Sequence, residues 1–521
     1  MKRSIVLTGL FLFTLYLIIF PLTISAKTEA VEVVISTGVQ TTDALSNMVD
    51  QYNNLGKDCT VKLLESTWET QNQHDTYVTK LAAKDDSIDI ISMDVIWPPE
   101  FTAAGWLEPV DDLFVSIGYT EDLYLEAPIK AGKYKGQHYG VPWFHDSGIL
   151  FYRADILEYA FDEGIIPRNN PPETWSELYD WTINMLEDDG LVATFNGSDG
   201  ILEGFIWQGR EYEGMICDFM EYLGGTGTYS FLSEDKTKAL FDTQPVKDAL
   251  EYMKSLVGPM LGSETTVSPP AVLTYHEETS RAVWNDGNAI FHRNWPYCYR
   301  LSMDNEFLNG NQGSYGHPAG EGKIFGVTPM PPKDKTVVEP RTSCLGGWQL
   351  GLNIYSRHKE EAKEFMKWLT DVEQQKYYLL NGGQIPTREA VYSDPDVLSS
   401  DQAYAHELLP VFKVALPRPV HPDYPTMSRD IWPPIHSYLA GAMTLDDAVD
   451  RMDTYVNDIL EDWQPIITTT TTTITYSETE PTEELKTSSK ENRLSIGTPG
   501  WPITLLLFSF VNILVWKRRK L

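Results

Sequence analysis

Ile88-Asp89-Ile90-Ile91-Ser92-Met93-Asp94 is an apolar, β-branched run that ends on a carboxylate. Runs of this kind form strands covered on both faces. Upstream, residues 31–36 and 60–64 have the same character. Residues 43–52 place Leu45, Met48, Val49 and Tyr52 at helical spacing, and 77–83 is a second helical stretch. The order β-α-β-α-β predicts an α/β chain with a doubly wound parallel sheet. Ligands of such sheets sit beyond the carboxyl ends of the strands, where Asp94 stands.

Three further stretches carry the same logic downstream. Tyr139–Tyr152 contains Gly140-Val141-Pro142-Trp143-Phe144-His145-Asp146-Ser147-Gly148, a strand that leaves through glycine and reads as a crossover between two lobes. Thr342–Leu352 is an apolar strand broken by Gly346-Gly347, and double glycine permits positive φ and close backbone approach. Asn288–Tyr299 runs from an apolar strand into Trp295-Pro296-Tyr297. A helix-like run at 275–286 precedes it and stops at Gly287. Trp295 and Tyr297 then stand at a helix start that Pro296 opens.

The chain has 521 residues, more than one core accommodates, with 42% hydrophobic and 12% aromatic content. Its 74 acidic against 41 basic residues give −33, which argues against a nucleic-acid partner. The four cysteines, Cys59, Cys217, Cys298 and Cys344, form no metal-ligand spacing. They leave two readings open, one or two disulfides in an exported protein or buried free thiols. No histidine set has metal spacing, and no motif calls for a cofactor.

The ends carry targeting signals. Met1-Lys2-Arg3, an apolar run at 4–22 and small residues up to Ala26 predict a signal peptide at 1–26. Residues 465–495 include six consecutive threonines at 468–473 and read as an extended Thr/Ser-rich stalk. Residues 496–516 read as a transmembrane segment, and 517–521 as a cytoplasmic basic tail. The expected product is C-terminally anchored on the outer face of the cell membrane.

Seven collinear stretches give the body a family resemblance. They are Ser92-Met93-Asp94-Val95-Ile96-Trp97, Gly105-Trp106-Leu107-Glu108-Pro109, Pro142-Trp143-Phe144-His145-Asp146 and Trp207-Gln208-Gly209-Arg210-Glu211-Tyr212-Glu213-Gly214. The others are Arg293-Asn294-Trp295-Pro296-Tyr297, Leu345-Gly346-Gly347-Trp348 and Pro417-Arg418-Pro419. Together they resemble the extracellular solute-binding proteins of ABC sugar importers, most of all archaeal trehalose/maltose-binding proteins. The resemblance implies a two-lobed, periplasmic-binding-protein-like α/β fold with hinged lobes. Lobe I is expected at 27–142 and 347–391, and lobe II at 143–346 and 392–464.

The same resemblance implies the site. Asp94 and Asp146 match carboxylates that accept sugar hydroxyls, and Phe144 stands where the family has a tyrosine. Trp295 and Tyr297 match aromatics of lobe II. Gly347 and Trp348 match a backbone contact and a platform at the crossover, and Arg388 matches a lobe I arginine. Thr41 and Gln73 or His74 fall where the family carries charged residues. The partners implied are a small-molecule sugar and the membrane permease, with no catalytic group. This chemistry suits a pyranose, whose C–H face stacks on rings while its hydroxyl rim needs acceptors and donors. A secreted glycoside hydrolase using Asp94 and Asp146 is the enzyme alternative. A receptor for a different solute is the third.

Overall fold

The computed structural model describes residues 31–461, apart from short gaps at 39–41, 68, 116–118, 197–199 and 259–264, and the paired segments 466–467 and 514–515. The strands of the body are β1 (Val31–Thr37), β2 (Cys59–Glu65), β3 (Ile90–Asp94), β4 (Lys133–Tyr134), β5 (Gln137–His138), β6 (Val141–Ser147), β7 (Ile149–Arg153), β8 (Glu203–Ile206), β9 (Ala289–Asn294), β10 (Phe325–Thr328), β11 (Leu345–Leu352) and β12 (Ile385–Pro386). A six-stranded sheet has the order β12-β6-β11-β3-β1-β2, and a four-stranded sheet the order β10-β7-β9-β8. Strands β1, β2 and β3 pair in parallel, as their sequence order predicts. Strands β11, β6 and β12 add to the same sheet antiparallel.

Apolar periodicity places the helices on this sheet. Helix Ala44–Asn53 buries Leu45, Met48, Val49 and Tyr52, one stripe of a 3.6-residue period, against β1 and β2. Val33, Ile35, Ile90 and Met93 are fully covered, the condition for a parallel sheet with helices on both faces.

Strand β6 belongs to the first sheet up to Ser147, and the chain crosses at Gly148 into β7 of the second. The crossing therefore falls later than the 142/143 boundary expected from sequence. The return passage runs from β10 of the second sheet to β11 of the first. Leu416 lies beside this passage, donating to Ser343 O at 2.8 Å and accepting from Leu345 N at 2.7 Å.

Local sequence signals shape the helix ends. Thr174 Oγ1 accepts from Glu177 N at 3.2 Å, opening helix Trp175–Leu186. Gly287, with φ +78, follows the end of helix Glu277–Asn285. All four cysteines are buried free thiols. Among the described residues no helix is long and apolar enough to cross a membrane. The expected signal peptide lies outside the described residues. So do the stalk, transmembrane segment and basic tail, apart from the paired segments 466–467 and 514–515.

Candidate functional site

Strand β11 organises the site. Its register sets Trp348 opposite Asp94 of β3 on one side and opposite Phe144 of β6 on the other. Gly346 faces Asp146, and Gly347 faces His145. Five of the residues singled out from sequence, Asp94, Phe144, Asp146, Gly347 and Trp348, thus meet on three adjacent strands. Gly347 has φ +97, and a Cβ there would run into the Phe144 carbonyl. Only glycine fits that backbone without strain. Its own carbonyl accepts from Val95 N at 3.2 Å. A register shift between Trp348 and Gln349 interrupts the regular pleat directly after the platform residue. The Trp348 ring meets Trp97 edge-on at 5.6 Å and lies tilted to Phe144 at 6.5 Å.

The second lobe supplies the opposing face. Trp295 directly follows β9, and Tyr297 opens helix Tyr297–Met303. The Arg293 guanidinium lies 4.2 Å from the Trp295 ring centroid and covers one of its faces. Arg293 is fully buried, with Glu221 Oε2 at 2.9 Å from its Nε, Asp218 Oδ1 at 3.1 Å and Gln208 Oε1 at 2.8 Å. The rim of the Trp295 ring stands over Gly346, where an added Cβ would come within 3.0 Å. That approach joins the lobe II platform to the hinge strand and accounts for the first glycine of the pair.

The carboxylates are poised by their surroundings. Burial pushes the Asp146 carboxyl up to about 8, with Asp94 and Glu277 raising it further and Arg293 opposing. Asp146 Oδ1 is buried and accepts no hydrogen bond. Burial also raises Asp94, against the pull of Arg418, while Glu213 adds to the rise. Asp94 Oδ1 accepts from Arg418 Nη2 at 2.8 Å and from Ile96 N at 3.1 Å.

Arg418 is not among the site residues that the resemblance implies, although Pro417-Arg418-Pro419 is among its motifs. It is 4% exposed and also donates to Glu213 Oε1 at 2.8 Å. A lone charge between two prolines was the available signal; its partner Asp94 is 324 positions away. Glu213 opens the buried helix Glu213–Gly225 and is further held by the Tyr424 hydroxyl at 2.7 Å and by Ser428.

Arg388 takes a different place. Its guanidinium packs over Tyr124 at 4.7 Å and Tyr119 at 5.2 Å inside lobe I, and its backbone N–H donates to Gln375. The structure does not bring it to the carboxylates that Arg418 reaches. Gln73 and His74 are buried. Gln73 donates to Tyr77 and Ser92, and His74 bonds Glu100 at 2.6 Å. Thr41 lies outside the described residues.

Among the described residues, the ion pairs that join the lobes include Glu69–Arg210 at 3.3 Å, Asp75–Arg429 at 2.7 Å and Asp94–Arg418 at 2.8 Å. The first two are partly or largely exposed and contribute little. The third is buried, so loss of one partner would leave the other charge uncompensated. A cavity of about 530 Å³ lies away from this cluster, walled by Pro171, Pro172, Pro329, Pro331 and Pro340 and floored by Ser343.

Two α/β lobes joined by crossing strands, with rings and carboxylates converging on the crossing, define a hinged solute receptor. The chain belongs to the bacterial extracellular solute-binding protein family, whose model matches residues 38–376. It is a binding protein and not an enzyme. A probable ABC transporter-binding protein of Deinococcus radiodurans is 31% identical over 363 residues, 69% of this chain and 76% of that protein. The maltose-bound T. maritima MalE3 structure is 32% identical with a TM-score of 0.68, covering 82% of this chain and all of that one. A solute-binding protein of Thermotoga lettingae, bound with alpha-D-tagatose, is 25% identical with a TM-score of 0.66 over 82% of this chain and all of that one.

Proposed function

We propose that this chain is the substrate-capturing component of an ABC importer and that its ligand is a neutral oligosaccharide, a disaccharide of the maltose or trehalose kind. The observation that carries the reading is the convergence of Trp295 on Gly346 of β11 while Trp348, on that same strand, pairs with Asp94 of β3. In this reading rings and acceptors from both lobes bound the ligand space. The T. maritima relative was solved with maltose, which supports the sugar class.

Mechanism follows from the division of contacts. Asp94, Trp348 and Phe144 approach from lobe I, and Trp295 and Tyr297 from lobe II. A sugar touching both sets binds the closed form better, and only such differential affinity drives closure. Phe144 offers ring surface without a hydroxyl, so it stacks and does not hydrogen bond. The closed form then presents a lobe surface to the permease. Residues 496–516 supply the tether that keeps the receptor beside the transporter and raises its effective concentration there; their sequence alone supports that part.

A thermal-shift panel of mono- and disaccharides, followed by calorimetry, tests the reading. Stabilisation by maltose or trehalose is the expected result. A flat response to every sugar, with stabilisation by a peptide or polyamine, would overturn it.

A further inference from the structure

Both rings of the lobe II face are tied at their polar ends to neighbouring carboxylates. Trp295 Nε1 donates to Glu277 Oε1 at 3.3 Å, and the Tyr297 hydroxyl donates to Glu278 Oε1 at 2.6 Å. Glu277 and Glu278 occupy the first turn of helix Glu277–Asn285, where the helix dipole favours negative charge. His276 and Thr279 close that turn as a reciprocal cap. Each carboxylate is held from its other side as well. Tyr212 donates to Glu277 Oε2 at 2.8 Å, and Arg281 Nε donates to Glu278 Oε2 at 3.1 Å.

We propose that Glu277 and Glu278 are positioning residues that fix the planes of Trp295 and Tyr297 and, by taking up their polar hydrogens, set the class of ligand. The class rests on the sugar reading above; the positioning does not. An indole carries one donor and no acceptor, so with Nε1 engaged Trp295 offers only its open face. Tyr297, its hydrogen engaged, offers oxygen lone pairs. Through these two rings the lobe II face therefore accepts and does not donate. Asp94 is an acceptor too, as is Asp146 once it is ionised. The ligand that fits is rich in hydroxyl hydrogens and carries no negative charge, which disfavours uronates and sugar phosphates. A platform frozen before binding also spares the ligand the cost of ordering two side chains.

The test uses Glu277→Ala, Glu278→Ala and the corresponding Gln variants, whose amide oxygen still accepts. In sugar-free protein the Trp295 indole 1H–15N resonance, assigned by its loss in Trp295→Phe, should move in Glu277→Ala and return toward its original position in Glu277→Gln. An unmoved resonance overturns the positioning role whether or not any sugar binds. With maltose as probe, each Ala variant should weaken binding about fivefold to tenfold, with substantial rescue by Gln. Glu278→Ala should cost little once Tyr297 is Phe; full additivity of the two overturns the link. Tighter binding of a glucuronyl disaccharide than of maltose to the unaltered protein overturns the ligand class. Failure of every sugar to bind, with the resonance moving as expected, leaves the positioning role supported and removes the sugar reading.

Discussion

Arg418 sets one guanidinium nitrogen 2.8 Å from Asp94, at the end of a lobe I strand, although the two residues are 324 positions apart. The same guanidinium reaches Glu213 of lobe II at 2.8 Å. The pair joins Asp94 to the opposite lobe, and the guanidinium opposes the rise that burial imposes on the Asp94 carboxyl. Arg418→Gln should lower sugar affinity about tenfold or more at neutral pH, since charge-assisted bonds contribute ~1.5–3 kcal/mol. It should also destabilise the fold by ~3–5 kcal/mol, because two buried carboxylates lose their partner. Calorimetry and urea unfolding measure the two effects. Unchanged affinity in a folded variant would exclude Arg418 from the site.

In the proposed site Trp295 and Trp348 come from opposite lobes, and both keep partial exposure. Trp295→Ala and Trp348→Ala should each weaken sugar binding by at least ~2 kcal/mol, the range of a buried aromatic anchor. Circular dichroism should show the fold retained. Loss of folding in both variants would mark them as core residues.

Asp146 gives a pH dependence with a definite sign. Its carboxyl is raised from 3.8 to about 8, so the folded protein holds a proton that the unfolded chain releases. Below pH about 4 both states hold it and the term vanishes. As pH rises from there through about 8, the sugar-free protein should lose stability, and Asp146→Asn should flatten that slope. Hydroxyl donors favour the ionised carboxylate, so sugar binding at pH 7 should release protons. Calorimetry in buffers of different ionisation enthalpy reads that release directly. Proton uptake on binding would reverse the assignment.

Arg388 gives the contrasting case. Stacked over Tyr119 and Tyr124, it contributes to lobe I through cation–π contact, ~1–2 kcal/mol for a buried pair. Arg388→Gln should lower the melting temperature and leave sugar affinity within about threefold of its original value. A selective loss of affinity with unchanged melting temperature would return Arg388 to the ligand.

The sequence by itself determined what depends on near neighbours. Strands 31–37, 59–65 and 90–94 were legible because β-branched runs and helical spacing are local properties, and their alternation implies a parallel sheet. Gly346-Gly347 announced a special backbone, and the φ of +97 at Gly347 bears that out. Asp94, Phe144, Asp146, Gly347 and Trp348 were legible through family motifs, and strand register then gathers them. Only the tertiary structure decided which partner each charge takes. Arg418 and Arg388 look alike in sequence, each beside a proline or a turn. One meets two carboxylates across the hinge, and the other meets two tyrosine faces. Glu277 and Glu278 are first-turn helix acids, and only the fold brings Trp295 and Tyr297 to their oxygens. Hydrogen bonds and ion pairs act over about 3 Å, so their pairing depends on how distant segments pack, and sequence spacing does not encode it.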